Sequence, residues 1–131
     1  MSAPGDAGSV RVAVPSAGVG GLAANADPHF GRCQHFTVVE LADGQPDKTI
    51  LIENLPHQDC LQPVELLASH GVKALIVRGI GMRPLVGFQQ AGIEVYTGSG
   101  DTVGELVAAY AAGRLRLMDG RSACGGGRHG G

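Results

Sequence analysis

The chain has no tryptophan and few aromatic residues of any kind: two tyrosines and three phenylalanines make up 4% of 131 residues. Its interior must therefore be aliphatic, and a hydrophobic content of 44% supplies enough Val, Leu, Ile and Ala for one core. Charged residues are also few, at 17%, with a net charge of −2. The arginines at positions 11, 32, 78, 83, 114, 116, 121 and 128 are dispersed. The basic stripe of a nucleic-acid binder is missing, so no nucleic-acid partner is expected. No apolar run approaches the ~20 residues that span a bilayer, and residues 1–9 lack the apolar stretch of a signal peptide. A cytoplasmic protein without a membrane partner is expected.

Catalytic signatures are scarce as well. No Gly-x-Ser-x-Gly elbow is present. Neither glycine-rich turn ends in the Gly-Lys-Ser/Thr of a phosphate loop, and Pro84 stands where the turn at Gly79 would need the last glycine of a dinucleotide fingerprint. A metal-dependent nuclease would need carboxylates at several strand ends, but the first strand offers none and most aspartates fall in turns or caps. The expectation is a protein that is not an enzyme. Only three cysteines occur, Cys33, Cys60 and Cys124, an odd and widely spaced set that argues against a disulfide framework.

What is present is a regular alternation of strand and helix patterns. Residues 10–15 alternate, with Val10, Val12 and Val14 on one face, and read as a strand. A long glycine-rich loop follows over residues 16–32, of the kind often kept for function. Residues 34–41 and 48–54 read as two strands of a hairpin around Asp43-Gly44. Asp59 with Gln62 suggests a helix start, and Gly71 its end. Residues 72–77 form a near-continuous apolar strand, as expected when both faces are covered. Gly79-Ile80-Gly81 then turns into a short helix over residues 83–90, and residues 93–96 make a fifth strand. Thr102 and Glu105 form a capping box for a last helix with Val103, Leu106, Val107 and Tyr110 on its apolar stripe.

The expected fold is α/β, with a five-stranded mixed sheet, one antiparallel hairpin strand and about three helices, in a ribonuclease-H-like or flavodoxin-like style. Residues 10–117 would form the domain, between a disordered tail at 1–9 and a flexible glycine-rich tail at 118–131. Open sheets of this type place ligands beyond the carboxyl ends of their parallel strands. Here those ends carry the loop after Ser16, the turn from Arg78 to Met82, and the loop from Thr97 to Asp101.

Soft metal ligands collect in the same regions. His29, Cys33 and His35 lie in or just after the first loop, and His57 and Cys60 lie before the first helix. A thiol at a helix N-terminus is biased towards thiolate, the form that binds zinc, copper(I) or iron–sulfur clusters. Cys60 is therefore the strongest single candidate, with His57 and Cys33 as metal ligands beside it and His29 as a further contact. Cys124 and His129 in the tail are weaker candidates. The plain alternative is that each cysteine is buried filler and His35 an ordinary strand histidine. A second possible site is an anion held by Gly79, Gly81 and Arg83 at a helix start.

Three segments resemble the dinitrogenase iron–molybdenum cofactor biosynthesis family, the NifX-like domains also found at the C-terminus of NifB. They are His29-Phe30-Gly31-Arg32-Cys33 with Phe36-Thr37-Val38-Val39-Glu40; Cys60 through Gly71; and Gly79-Ile80-Gly81-Met82-Arg83-Pro84-Leu85 leading through Gly92 to the last helix. The resemblance spans residues 10–117. It implies a ribonuclease-H-like fold without nuclease activity. It also implies a non-catalytic binding or carrier protein for an iron–sulfur cluster or an iron–molybdenum cofactor precursor, with metallocluster-assembly proteins as partners. The competing expectation is a metal-free regulatory module that binds a small anion or another protein.

Overall fold

A computed structural model of the chain describes residues 9–18, 20–27, 35–53, 62–98 and 100–118. Nine elements follow one another: β1 (Ser9–Ser16), β2 (His35–Ala42), β3 (Gln45–Glu53), α1 (Gln62–Ser69), β4 (Val72–Val77), α2 (Met82–Gln90), β5 (Glu94–Thr97), α3 (Val103–Ala111) and β6 (Arg116–Met118). The six strands form one sheet in the order β3-β2-β1-β4-β5-β6. β1, β4 and β5 run parallel, with α2 making the crossover from β4 to its neighbour β5. β2 and β6 run against them, and β3 pairs antiparallel with β2.

The mixed α/β sheet and three helices agree with the sequence expectation; the strand count does not. The sheet has six strands rather than five, and two of them, β2 and β6, oppose the parallel trio. β6 is three residues long, and its central Leu117 is 52% exposed. A strand that short carries too few residues to register a period of two.

The β2–β3 connection is the Asp43-Gly44 turn. Both residues have positive φ, 55° and 80°, the combination a two-residue hairpin needs to match the twist of its strands, and Asp and Gly are among the few residues that tolerate it. α1, α2 and α3 are followed by Gly71, Gly92 and Gly113, each left-handed.

Both faces of the central strands are covered. On one, Ala13, Phe36, Val38, Leu75, Val77 and Val95 pack against Val64 and Leu67 of α1 and Leu85 and Phe88 of α2. On the other, Val12, Val14, Val39, Leu41, Ala74 and Ile76 pack against Val103, Leu106 and Val107 of α3, together with Ala26 from the loop after β1. One face thus has two helices, and the other has one helix plus a loop. The loop is part of the core rather than an appendage.

The register fixes which residues share the loop-bearing edge of the sheet. Ser16 pairs with His35, and His35 with Glu53. On the other side of β1, Val77 pairs with Thr97, and Thr97 with Arg116.

Candidate functional site

The site is built on that edge. The loop after β1 turns back at once: Ala17 N donates to Asn25 O at 3.0 Å and Asp27 N to Pro15 O at 2.8 Å. It is then bonded to the start of α3. Ala26 N donates to Asp101 O (2.8 Å), Val103 N to Ala24 O (2.9 Å) and Gly104 N to Leu22 O (2.9 Å). The third orphan donor of α3, Glu105 N, is taken by Thr102 Oγ1 at 3.2 Å, the expected capping box. The positive end of α3 therefore holds the loop, and these three donors are committed to it and to the cap.

Beneath the loop lie the two buried polar side chains of the described residues, Ser16 and Thr37, both with no exposed surface. Their hydroxyls are 2.8 Å apart. Gly21 N donates to Thr37 Oγ1 at 3.0 Å, and Ser16 Oγ donates to the His35 carbonyl at 3.0 Å. Only one proton arrangement satisfies all three contacts: Gly21 N–H to Thr37, Thr37 O–H to Ser16, Ser16 O–H to His35 O. Each hydroxyl donates once and accepts once, so no buried donor is left unmet. Gly20, at φ 77°, lies against this chain, and a Cβ there would come within 2.8 Å of Thr37 Oγ1.

His35 stands where the loop region re-enters the sheet. Its Nδ1 lies 2.6 Å from the Gly18 carbonyl oxygen. A carbonyl only accepts, so Nδ1 carries the proton and, in the neutral ring, Nε2 keeps its lone pair.

The other strand ends are joined to one another. Arg78 Nη2 donates to Gly100 O at 2.6 Å and reaches Asp101 Oδ1 at 3.4 Å. With Asp101 89% exposed, the ion pair adds little stability and serves mainly to align the two turns. Thr97 Oγ1 donates to Arg78 O at 3.4 Å.

The turn at Gly79, Gly81 and Arg83 leads into α2. Gly81 is its N-cap, with extended backbone (φ −74°, ψ 165°) and no side-chain cap. A Cβ would meet nothing within 4 Å at Gly79 and only Pro84 Cδ at 3.8 Å at Gly81, and neither residue has positive φ. Sterically, glycine is required at neither position, although at the N-cap of α2 it is favoured over alanine. Arg83 is exposed and engaged in an interaction of its own.

Six residues predicted from the sequence, His29, Cys33, His57, Cys60, Cys124 and His129, lie outside the described residues. Among the described residues, no three His, Cys, Asp or Glu side chains group closely enough to hold a metal ion, and no helix is long and apolar enough to cross a membrane. Sequence reasoning misses the Ser16–Thr37 pair. Its one signal is a threonine on the same strand face as Val39 and Leu41.

Comparison with known proteins bears on this geometry. Residues 8–113 match the family described as dinitrogenase iron-molybdenum cofactor. An uncharacterized protein of Methanocaldococcus jannaschii is 35% identical over 96 residues, covering 70% of this chain and 81% of that protein. The high-resolution structure of the apo form of the orange protein of Desulfovibrio gigas superposes with a TM-score of 0.73 at 28% identity, covering 84% of this chain and 93% of that one. An NMR structure from Thermotoga, given provisionally as a NifB protein, superposes with a TM-score of 0.66 at 30% identity, covering 82% and 92%. With the family's pattern running through every element from β1 to α3, the chain belongs to the dinitrogenase iron-molybdenum cofactor family.

Proposed function

We propose that this domain binds a metallocluster, an iron–sulfur cluster or an iron–molybdenum cofactor precursor, as cargo and passes it to cluster-assembly proteins without catalysing a reaction. One observation carries the reading. The segment with His29 and Cys33 ends at His35, the segment with His57 and Cys60 begins after Glu53, and His35 and Glu53 are cross-strand partners. Both ligand-bearing segments are thus joined to the sheet at adjacent points on one edge. In this reading Cys33 and Cys60 supply thiolates and His57 and His29 supply imidazoles, a donor set suited to iron and its sulfide clusters. The open space at Gly79 and Gly81 on the same edge supports close approach of a bulky inorganic group. The order β3-β2-β1-β4-β5, read as ribonuclease-H-like with β6 added, serves as a scaffold for the loops.

Anaerobic reconstitution with ferrous iron and sulfide tests the proposal. The expected result is visible charge-transfer absorbance that survives desalting and is lost in the Cys33→Ser/Cys60→Ser double variant. A colourless protein, or a spectrum indifferent to the double substitution, refutes it.

The glycines at 79 and 81 also favour a second reading, a small anion at the start of α2 with no metal. Inorganic phosphate would then raise the melting temperature, Gly79→Ala would remove that rise, and iron would have no effect.

A further inference from the structure

We infer that His35 is itself a cargo ligand, through Nε2. The inference deepens the cluster-carrier reading and rests on it, but its observations are separate, because every atom involved lies in the described residues. An imidazole binds a metal through one nitrogen while the other donates its proton to an oxygen acceptor, and that second bond fixes the tautomer and aims the ring. His35 has this arrangement before any metal arrives. Its Nδ1–H is held by Gly18 O at 2.6 Å. Nε2 has no hydrogen-bond partner among the described residues, and the residue is only partly buried. The acceptor is fixed as well. Gly18 belongs to the loop bonded to α3, and the backbone carbonyl of His35 is held from the other side by Ser16 Oγ at 3.0 Å. Both ends of the histidine are therefore set by buried or doubly anchored groups, and among the described residues Nε2 is the ring atom left without a partner. His35 pairs with Glu53 at the end of the loop region, so the residue stands beside the two points where the proposed ligand-bearing segments join the sheet.

A structural role alone is the competing account, and the chain contains its example. His70 makes a similar bond, Nδ1 to Leu66 O at 2.9 Å, at the opposite end of the sheet. There, closing the last turn of α1 explains it fully.

The test uses His35→Asn, whose Nδ2 can replace Nδ1 as donor to Gly18 while nothing replaces Nε2, with His70→Asn as control. Three measurements are made: the tautomer of each histidine by nitrogen-15 NMR of the iron-free protein, pulsed EPR of protein loaded with iron and sulfide and then reduced, and release of iron to a chelator. The inference expects His35 protonated at Nδ1, an imidazole-nitrogen coupling present in wild type and His70→Asn but absent in His35→Asn, and release about tenfold or more faster in His35→Asn. It is overturned, with the carrier reading left standing, if wild type loads but coupling and release are the same in His35→Asn. If wild type takes up no cluster, the carrier reading fails and this inference with it. Should His35→Asn not fold, wild type alone decides: on loading, the His35 Nε2 signal must shift or vanish while that of His70 stays, and an unmoved signal overturns the inference.

Discussion

Replacing Gly20 with alanine tests whether the loop after β1 is locked as described. Two costs add. At φ 77° a residue with a Cβ is strained by roughly 1–2 kcal/mol. The new methyl would stand 2.8 Å from Leu51 Cδ2, 2.8 Å from Thr37 Oγ1 and 3.2 Å from Ser16 Oγ. Leu51, 48% exposed, can turn aside. Thr37 and Ser16 cannot, because each is fully buried and bonded to the other as well as to the backbone. Overpacking of that kind costs about 1–3 kcal/mol. The sum is about 2–5 kcal/mol, a large part of the ~5–15 kcal/mol that holds a domain together. Equilibrium urea unfolding followed by circular dichroism measures it, with Gly113→Ala as control. Gly113 has nearly the same φ, 74°, but a methyl group there would meet nothing within 4 Å, so only the conformational cost applies. If Gly20→Ala is no more destabilising than Gly113→Ala, the hydroxyl chain does not hold the loop and the reasoning is wrong.

Two further predictions concern titration. The Glu105 carboxylate accepts from Asp101 N at 2.7 Å and Thr102 N at 3.1 Å, and these bonds, Asp101 first, pull its pKa below the ordinary glutamate value. A carboxyl with a depressed folded pKa stabilises the fold above its unfolded pKa and loses that contribution as pH falls through the folded value. The stability gap between wild type and Glu105→Gln should therefore be widest near neutrality and narrow on acidification; a gap constant with pH contradicts the capping geometry. Tyr96 is pushed up to about 12 from 10.0 by burial first, then by its bond to Glu94 at 2.7 Å and the charge there. Its neutral form is favoured in the fold, so stability should hold below pH ~10 and fall as pH rises towards the folded value. Tyr110 is raised as well, by its own burial first. Ultraviolet difference titration should therefore show late ionisation of both tyrosines, of which Tyr96→Phe removes the Tyr96 share, and early ionisation in wild type would count against it.

The parts of the fold legible in the sequence are those with a strong local cause. Thr102 and Glu105 announce α3 because a capping box is a purely local pattern, and residues 72–77 announce a central strand because both faces are buried there. β6 is not legible, because it has only three residues of its own and its pairing depends on β5, across the whole of α3. The hydroxyl chain is hidden for a different reason. Ser16 and Thr37 are 21 positions apart, and either one read singly is an ordinary polar residue. Their burial follows only from the β1–β2 register and from the loop that closes over them. His35 is visible as a metal-ligand type, but its fixed tautomer depends on Gly18, which no spacing rule connects to it.

The glycines of this edge divide into two kinds, and the division bears on function. Gly20 is required by the protein itself: its φ is left-handed, and the atoms around it leave no room for a methyl group. Gly79 and Gly81 are not, since their backbone is ordinary and the space above them is open. Glycine costs conformational entropy, and alanine at a compatible position would typically stabilise by about 0.4–1 kcal/mol. Gly79 thus forgoes stability that the fold could have had, whereas Gly81, as the N-cap of α2, stands where glycine is favoured over alanine. The same edge carries His35 with Nδ1 bound and, among the described residues, no partner at Nε2. A bonded loop, a turn with open space above Gly79 and a partly exposed imidazole with a set tautomer are what a surface needs if a foreign group is to come close to the backbone and be held. That is why the binding reading is preferred here to one in which the loops merely connect the strands.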